Sequence, residues 1–201
     1  MARLIQADEK EGEWLIRAQN GDDEAFTLLV ERYQNPVYNL CYRMLGSPQE
    51  AEDAAQESFW RAYQALKRYD RNRPFATWLL AIAAHYCIDQ QRKQRVPIFE
   101  IEDWMEETLP ETTPSPEKQV STAQDQAAIR AILVQLNPQD RAAIILRYWY
   151  DFSEEEISQT LKLSISAVKS RLFRARQKLA AMWTAQESIA AERMKDESPA
   201  F

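Results

Sequence analysis

Apolar residues in this chain recur at three- and four-residue spacing almost throughout, and no stretch alternates apolar with polar long enough to suggest a sheet. Only three glycines occur in 201 residues. The pattern predicts an all-α fold, and the length suits one or two domains, each large enough for its own core. No apolar run reaches spanning length, and the N-terminus MARLIQADEKEGEW is too charged for a signal peptide. A cytoplasmic protein without membrane insertion is expected.

The helical pattern is interrupted once. Between a block at about 11–95 and a second at about 121–183 lies VPIFEIEDWMEETLPETTPSPEKQ, where Pro97, Pro110, Pro114 and Pro116 stop any helix. Residues 96–120 are acidic, proline-bearing and low in aliphatics, and read as an extended linker. About 25 residues reach at most ~80 Å, which separates the blocks by about two turns of duplex. Residues 184–201 form a tail expected to extend the last helix and then fray. The net charge of −6 is concentrated around the linker. From Ile98 to Asp125 the acids Glu100, Glu102, Asp103, Glu106, Glu107, Glu111, Glu117 and Asp125 face Lys118 alone. Local field governs phosphate binding, so the acidic total does not exclude a nucleic-acid partner.

The stretch FSEEEISQTLKLSISAVKSRLFRARQKL, residues 152–179, reads as a short acidic-started helix, a tight turn and a longer helix. The second helix carries Lys169, Arg171, Arg174, Arg176 and Lys178 and no acid. Ile165, Val168, Leu172, Ala175 and Leu179 form its apolar stripe, while Ser170, Phe173, Arg174 and Gln177 point away. A cationic face bearing a phenylalanine about 130° from its own core stripe needs an outside partner. Duplex DNA, entered by the second helix of a helix-turn-helix, fits it, and a solvated basic face is the plainer alternative.

In the first block, Gly46 closes one helix, Ser47 caps the next, Pro48 takes its first position and Glu50 supplies a capping-box acid. That next helix is expected to bury Ala55, Phe59, Ala62 and Leu66. Asp53, Glu57, Trp60, Arg61 and Gln64 then lie opposite, with Gln56 at the flank. An outward tryptophan beside two acids suits a protein interface, and a tryptophan lying on its own domain is the alternative. The loop Arg68–Phe75 mixes cations with aromatics and leads into a helix whose stripe is Phe75, Leu79, Ile82 and Tyr86. Trp78, Ala81, His85 and Asp89 share another face. Such mixing suits single-stranded nucleic acid, where stacking contributes about 1–3 kcal/mol per base. Core aromatics at a helix start explain it equally well.

Cys41 and Cys87 sit in apolar helical surroundings and are expected to be buried, reduced thiols, since His85 alone completes no zinc set. The chain shows no nucleophile with a matching base, no Gly-rich phosphate loop and no paired-His motif, so neither cofactor nor metal nor catalytic residue is expected.

These pieces, in this order, resemble the extracytoplasmic-function (ECF) class of bacterial sigma factors, small members of the sigma-seventy superfamily. The resemblance is carried by AFTLLVERYQNPVYNLCYRMLGS, EAEDAAQESFWRAY, FATWLLAIAAHYCIDQQRKQR and LNPQDRAAIILRYWYDFSEEEISQTLKLSISAVKSRLFRARQKL. Together they cover nearly everything from about Asp22 to Leu179 except the linker. The runs AEDAAQESF and AVKSRLFRARQKL are the most specific parts.

The resemblance implies that the first block is sigma region 2 and the second region 4. Asp53, Gln56 and Glu57 match the family's docking positions on the clamp helices of core RNA polymerase, and Trp60 shares their face. Arg71, Asn72, Arg73, Phe75, Trp78 and His85 fall where the family captures flipped bases of the −10 element. Flipping costs a few kcal/mol, which a stacking pocket offsets without ATP. Lys169, Ser170, Arg171, Phe173 and Arg174 match positions that read the −35 duplex. The linker would thread the polymerase cleft, and the family commonly pairs with a membrane-tethered anti-sigma factor. The chain departs from the family at Lys162, where the turn usually has glycine; at a positive φ lysine costs about 1 kcal/mol, and otherwise the turn is built differently. Ser166-Ala167 replaces a usual Gly-Thr, and Ala84 and His85 replace a usual arginine and asparagine. The rival reading is an autonomous helix-turn-helix regulator that binds a palindrome without polymerase.

Overall fold

Short polar side chains set where most of these helices begin. Asp22 accepts from the Ala25 N–H at 3.0 Å, Ser47 from Glu50 at 3.4 Å and Asn137 from Asp140 at 2.9 Å. Ser153 accepts from Glu156 at 3.1 Å while the Glu156 carboxylate takes the Ser153 N–H at 2.7 Å, a complete capping box. The computed structural model describes residues 9–95 and 129–196. They form α1 (Glu9–Gln19), α2 (Asp23–Leu45), α3 (Pro48–Ala65), a 3₁₀ turn (Leu66–Arg68), α4 (Phe75–Arg95), α5 (129–133), α6 (Pro138–Trp149), α7 (Glu154–Leu161) and α8 (Ile165–Asp196). No strand occurs among the described residues. The linker at 96–120, the start of the second block at 121 and the last tail residues lie outside them. As far as it is described, the tail continues α8.

In the first block α2 buries Leu29, Tyr33, Val37, Leu40 and Met44 along one face, running through Pro36 to Gly46, whose φ of 89° closes the helix. Against it α3 sets Ala51, Ala54, Ala55, Ser58 and Ala62. The expected stripe is thus rotated: Ala55, Ala62 and Leu66 are buried, but Phe59 lies at the edge. Small residues take the middle because two helix backbones approach closely only over side chains of that size.

Helix α4 departs further from expectation. Its buried positions include Phe75, Ala76, Leu79, Leu80, Ala83, Ala84, Cys87, Ile88 and Gln91, while Ile82 and Tyr86 are half-buried. One stripe does not describe it because α4 is packed by α2 and α3 from its own block and by α6 and α7 from the second. The two blocks therefore share a core. Arg141 of α6 and Gln91 of α4 both donate to the Met44 carbonyl at the end of α2. Tyr150 donates its hydroxyl to the Pro36 carbonyl at 2.6 Å. Arg130 reaches the Tyr42 hydroxyl, and the Arg43 guanidinium lies 5.2 Å from the Trp149 ring centroid.

In the second block Val168, Leu172 and Ala175 of α8 are buried as expected. Ile165 is 40% exposed, because it opens the helix where the stripe runs off the packed end. The turn between α7 and α8 keeps the left-handed form despite its lysine: Lys162 has φ 53° and ψ 48°, and its N–H bonds to the Ser158 carbonyl. Lysine bears the strain that glycine would avoid. Lys162→Gly should therefore stabilise the protein by about 1 kcal/mol, less glycine's extra freedom in the unfolded chain. The midpoint should rise by about 2 °C in thermal unfolding, and a fall would show that the turn relaxes in solution.

Candidate nucleic-acid and protein interfaces

Three surfaces emerge from this scaffold. The first is the outer face of α3. Asp53 and Gln56 are exposed there, Trp60 is 55% exposed, and Glu57 is half-buried, paired with Arg61 at 2.7 Å. Trp60 stacks on Tyr63 at 6.1 Å between ring centroids and 19° between planes. Tyr63 in turn meets Phe26 edge-on and donates to Asp23 at 2.7 Å. The sequence reading missed Tyr63, although its three-residue spacing from Trp60 was the signal for a shared face. Arg61 lies 4.7 Å from the Tyr86 ring centroid, joining this face to α4.

The second surface is the loop before α4. Asp70 accepts the Asn72 N–H at 3.0 Å on its side chain and the Arg73 N–H at 3.1 Å on its carbonyl. The Tyr69 hydroxyl donates to the Arg73 carbonyl. Burial, with the charges of Glu11 and Asp70, pushes Tyr69 up to about 12, so it remains a donor at neutral pH. This folded loop leaves Arg71, Asn72 and Arg73 exposed. Phe75, in contrast, is buried among Tyr33, Tyr69 and Trp78, with centroids 5.4, 5.5 and 5.6 Å away. Of the two readings left open for this stretch, Phe75 takes the core one. Trp78 is half-buried on the same cluster, 4.8 Å from Tyr69. His85 is half-buried, and its Nε2 is buried without a hydrogen-bond partner.

The third surface is α8. Lys169, Ser170, Phe173 and Arg174 share an exposed face, with Phe173 56% exposed. Arg171 differs from them: its Nη1 donates to Asp140 of α6 at 2.7 Å, in a half-buried pair. Asp140 also accepts from the Asn137 side chain at 2.5 Å, so the start of α6, its cap and α8 are locked together. Lys169 lies 3.5 Å from Glu154 of α7, and Lys178 donates to the Gln135 carbonyl at 2.7 Å. Pairing part of the basic helix internally fixes the angle at which the remaining face is presented.

Cys41 and Cys87 are free and buried, and the Cys41 thiol together with burial holds Cys87 well above the usual thiol range. Among the described residues no cluster of His, Cys, Asp and Glu is arranged to hold a metal ion. No described helix is long and apolar enough to cross a membrane.

The family model for sigma-70 region 2 matches residues 29–96, and that for sigma-70 region 4 matches residues 126–179. The ECF RNA polymerase sigma factor SigW of Bacillus subtilis is 36% identical over 171 residues, covering 81% of this chain and 91% of SigW. The chain belongs to the ECF class of sigma-70 factors. The RNA polymerase sigma-H factor of Pseudomonas aeruginosa is 32% identical over 176 residues, covering 84% of this sigma factor and 91% of that one. Among solved structures, CnrH in complex with the cytosolic domain of CnrY superposes with a TM-score of 0.66 at 25% identity, covering 88% of this chain and 99% of CnrH. RpoE of Bartonella quintana, solved with the anti-sigma factor NepR, shares the fold at 22% identity and TM-score 0.59, covering 79% and 96%. The region 2 match begins within α2, so α1 precedes it. The region 4 match ends within α8 at 179.

Proposed function

We propose that this ECF sigma factor works through the three surfaces separately, as a non-catalytic subunit that directs core RNA polymerase to promoters. The α3 face of Asp53, Gln56, Glu57 and Trp60 docks on the polymerase. The loop residues Arg71, Asn72 and Arg73, with Trp78 and His85 on α4, capture single-stranded −10 bases over the buried Phe75. The α8 face of Lys169, Ser170, Phe173 and Arg174 reads the −35 duplex, with Arg171 setting the helix angle through Asp140. The segment 96–120 connects the two DNA-reading units. The observation that supports this most is the coincidence of surface and family. Each block carries its own exposed cations, beside the half-buried Trp78 in the first and the exposed Phe173 in the second, and each face lies inside the matched range of the region that reads that promoter element.

The likeness to CnrH, solved with the cytosolic domain of a second protein, supports a protein inhibitor for this chain as well. Exposed aromatics at Trp60 and Phe173 give such a partner something to cover.

Run-off transcription by core polymerase on a library of promoter-like fragments tests the reading. Transcription should require the protein, and Arg174→Glu should abolish it at promoters that depend on a −35 element, through at least a hundredfold loss of duplex affinity. No stimulation, with tight binding of the free protein to a palindrome, would assign it instead to autonomous regulators. Purification from unstressed cells should recover a stoichiometric small inhibitor, and recovery of polymerase alone would remove that partner.

A further inference from the structure

The loop assigned above to single-stranded DNA has little regular structure of its own, and its backbone is held from outside. Gln19, the last residue of α1, donates through Nε2 to two carbonyls at the loop's entry: Leu66 at 3.0 Å and Tyr69 at 2.9 Å. Those carbonyls belong to the first residue of the 3₁₀ turn and to the residue that follows it, where α3 leads into the loop. Helix α1 is itself anchored. Its Glu11, 2% exposed, accepts the Tyr33 hydroxyl at 2.7 Å and lies 3.2 Å from Arg32 Nε. The Tyr33 ring packs edge-on against Phe75 at the loop's exit. One short helix thus grips both ends of the loop, directly at Leu66 and Tyr69 and through Tyr33 at Phe75. The region 2 match starts at residue 29, so neither Glu11 nor Gln19 lies in it.

We propose that Gln19 is a positioning residue for capture of the −10 strand: it holds the Leu66–Tyr69 backbone so that Arg71, Asn72 and Arg73 are presented before DNA arrives. It touches no base. Its effect is preorganisation, because a loop ordered on folding need not be ordered at binding, and affinity rises with no new contact. Among the described residues Gln19 is the side chain seen donating to these two carbonyls, and the Leu66 carbonyl also takes the Tyr69 N–H at 3.0 Å. Losing the amide therefore loosens the entry of the loop, while Phe75 and Trp78 keep its exit packed.

The proposal rests on the reading of the loop as the −10 site, and the experiment separates the two. Gln19→Glu keeps the shape of the side chain but turns a carboxylate toward two carbonyl oxygens; Gln19→Lys restores a donor. Holoenzyme is assembled with saturating sigma factor well below its melting temperature. Its affinity is measured for a single-stranded oligonucleotide selected from a random pool by the wild-type holoenzyme. Two neutral hydrogen bonds correspond to roughly tenfold in affinity. Gln19→Glu should therefore weaken capture about tenfold and leave affinity for core polymerase unchanged, and Gln19→Lys should recover most of the loss. A bond that is only structural would lower the melting temperature and leave capture by the assembled holoenzyme unchanged, which would overturn the proposal. An equal loss of core affinity would overturn it too. Arg71→Ala with Arg73→Ala is the control on the site: unchanged capture there removes the −10 reading itself, whereas weakened capture there with normal Gln19→Glu removes only the role of Gln19.

Discussion

Trp60→Ala should cut the affinity of the sigma factor for core RNA polymerase about a hundredfold, the range of a tryptophan hot spot. The indole is more than half exposed, so its removal leaves no internal cavity, and thermal unfolding should move little. It stacks on Tyr63, which is fixed from behind by Phe26 and Asp23, so the aromatic pair is rigid before a partner arrives. Glu57→Lys should cost a comparable factor by a different route. It reverses one charge of an acidic face, replaces an ion pair to Arg61 with a repulsion, and slows encounter with a basic partner most at low salt. Competition of each variant against wild type for labelled core polymerase reads both effects. Wild-type competition by Trp60→Ala would move the docking face off α3, whatever the family implies.

Much of this was legible in local sequence. Ser47, Pro48 and Gly46 mark helix ends through chemistry confined to one turn, and the structure uses all three. The exposed residues of α8 follow from period alone, because that helix is packed on one side only. Where reading failed, the cause lay at a distance. The stripe assigned to α4 is blurred because the second block covers another flank of the helix. Periodicity reports how many residues a helix buries and says nothing of what buries them. Phe75 and Arg171 match DNA-contacting positions of the family, and the structure adds what local sequence does not show: Tyr33 packs against the one and Asp140 pairs with the other, both far along the chain. Gln19 showed no signal at all, since its partners are 47 and 50 residues away. Lys162 left two forms of the turn open, and the structure takes the left-handed one that lysine disfavours.

Arg141→Met should be the most destabilising of the changes considered, by about 3 kcal/mol, because it takes donors from three carbonyls in two parts of the molecule. Arg141 is 3% exposed and sits in the first turn of α6, the wrong end of its own helix for a cation. Its guanidinium is stabilised elsewhere. It donates to the Val134 carbonyl at 2.5 Å and to Leu136 at 3.3 Å, closing the turn before α6, and crosses to the Met44 carbonyl in the last turn of α2. There the unpaired carbonyls of α2 and the negative end of its dipole favour positive charge. Methionine fills similar space but leaves these carbonyls with fewer donors. Urea unfolding should show the loss, and Tyr150→Phe, which removes only the bond to Pro36, should cost nearer 1 kcal/mol.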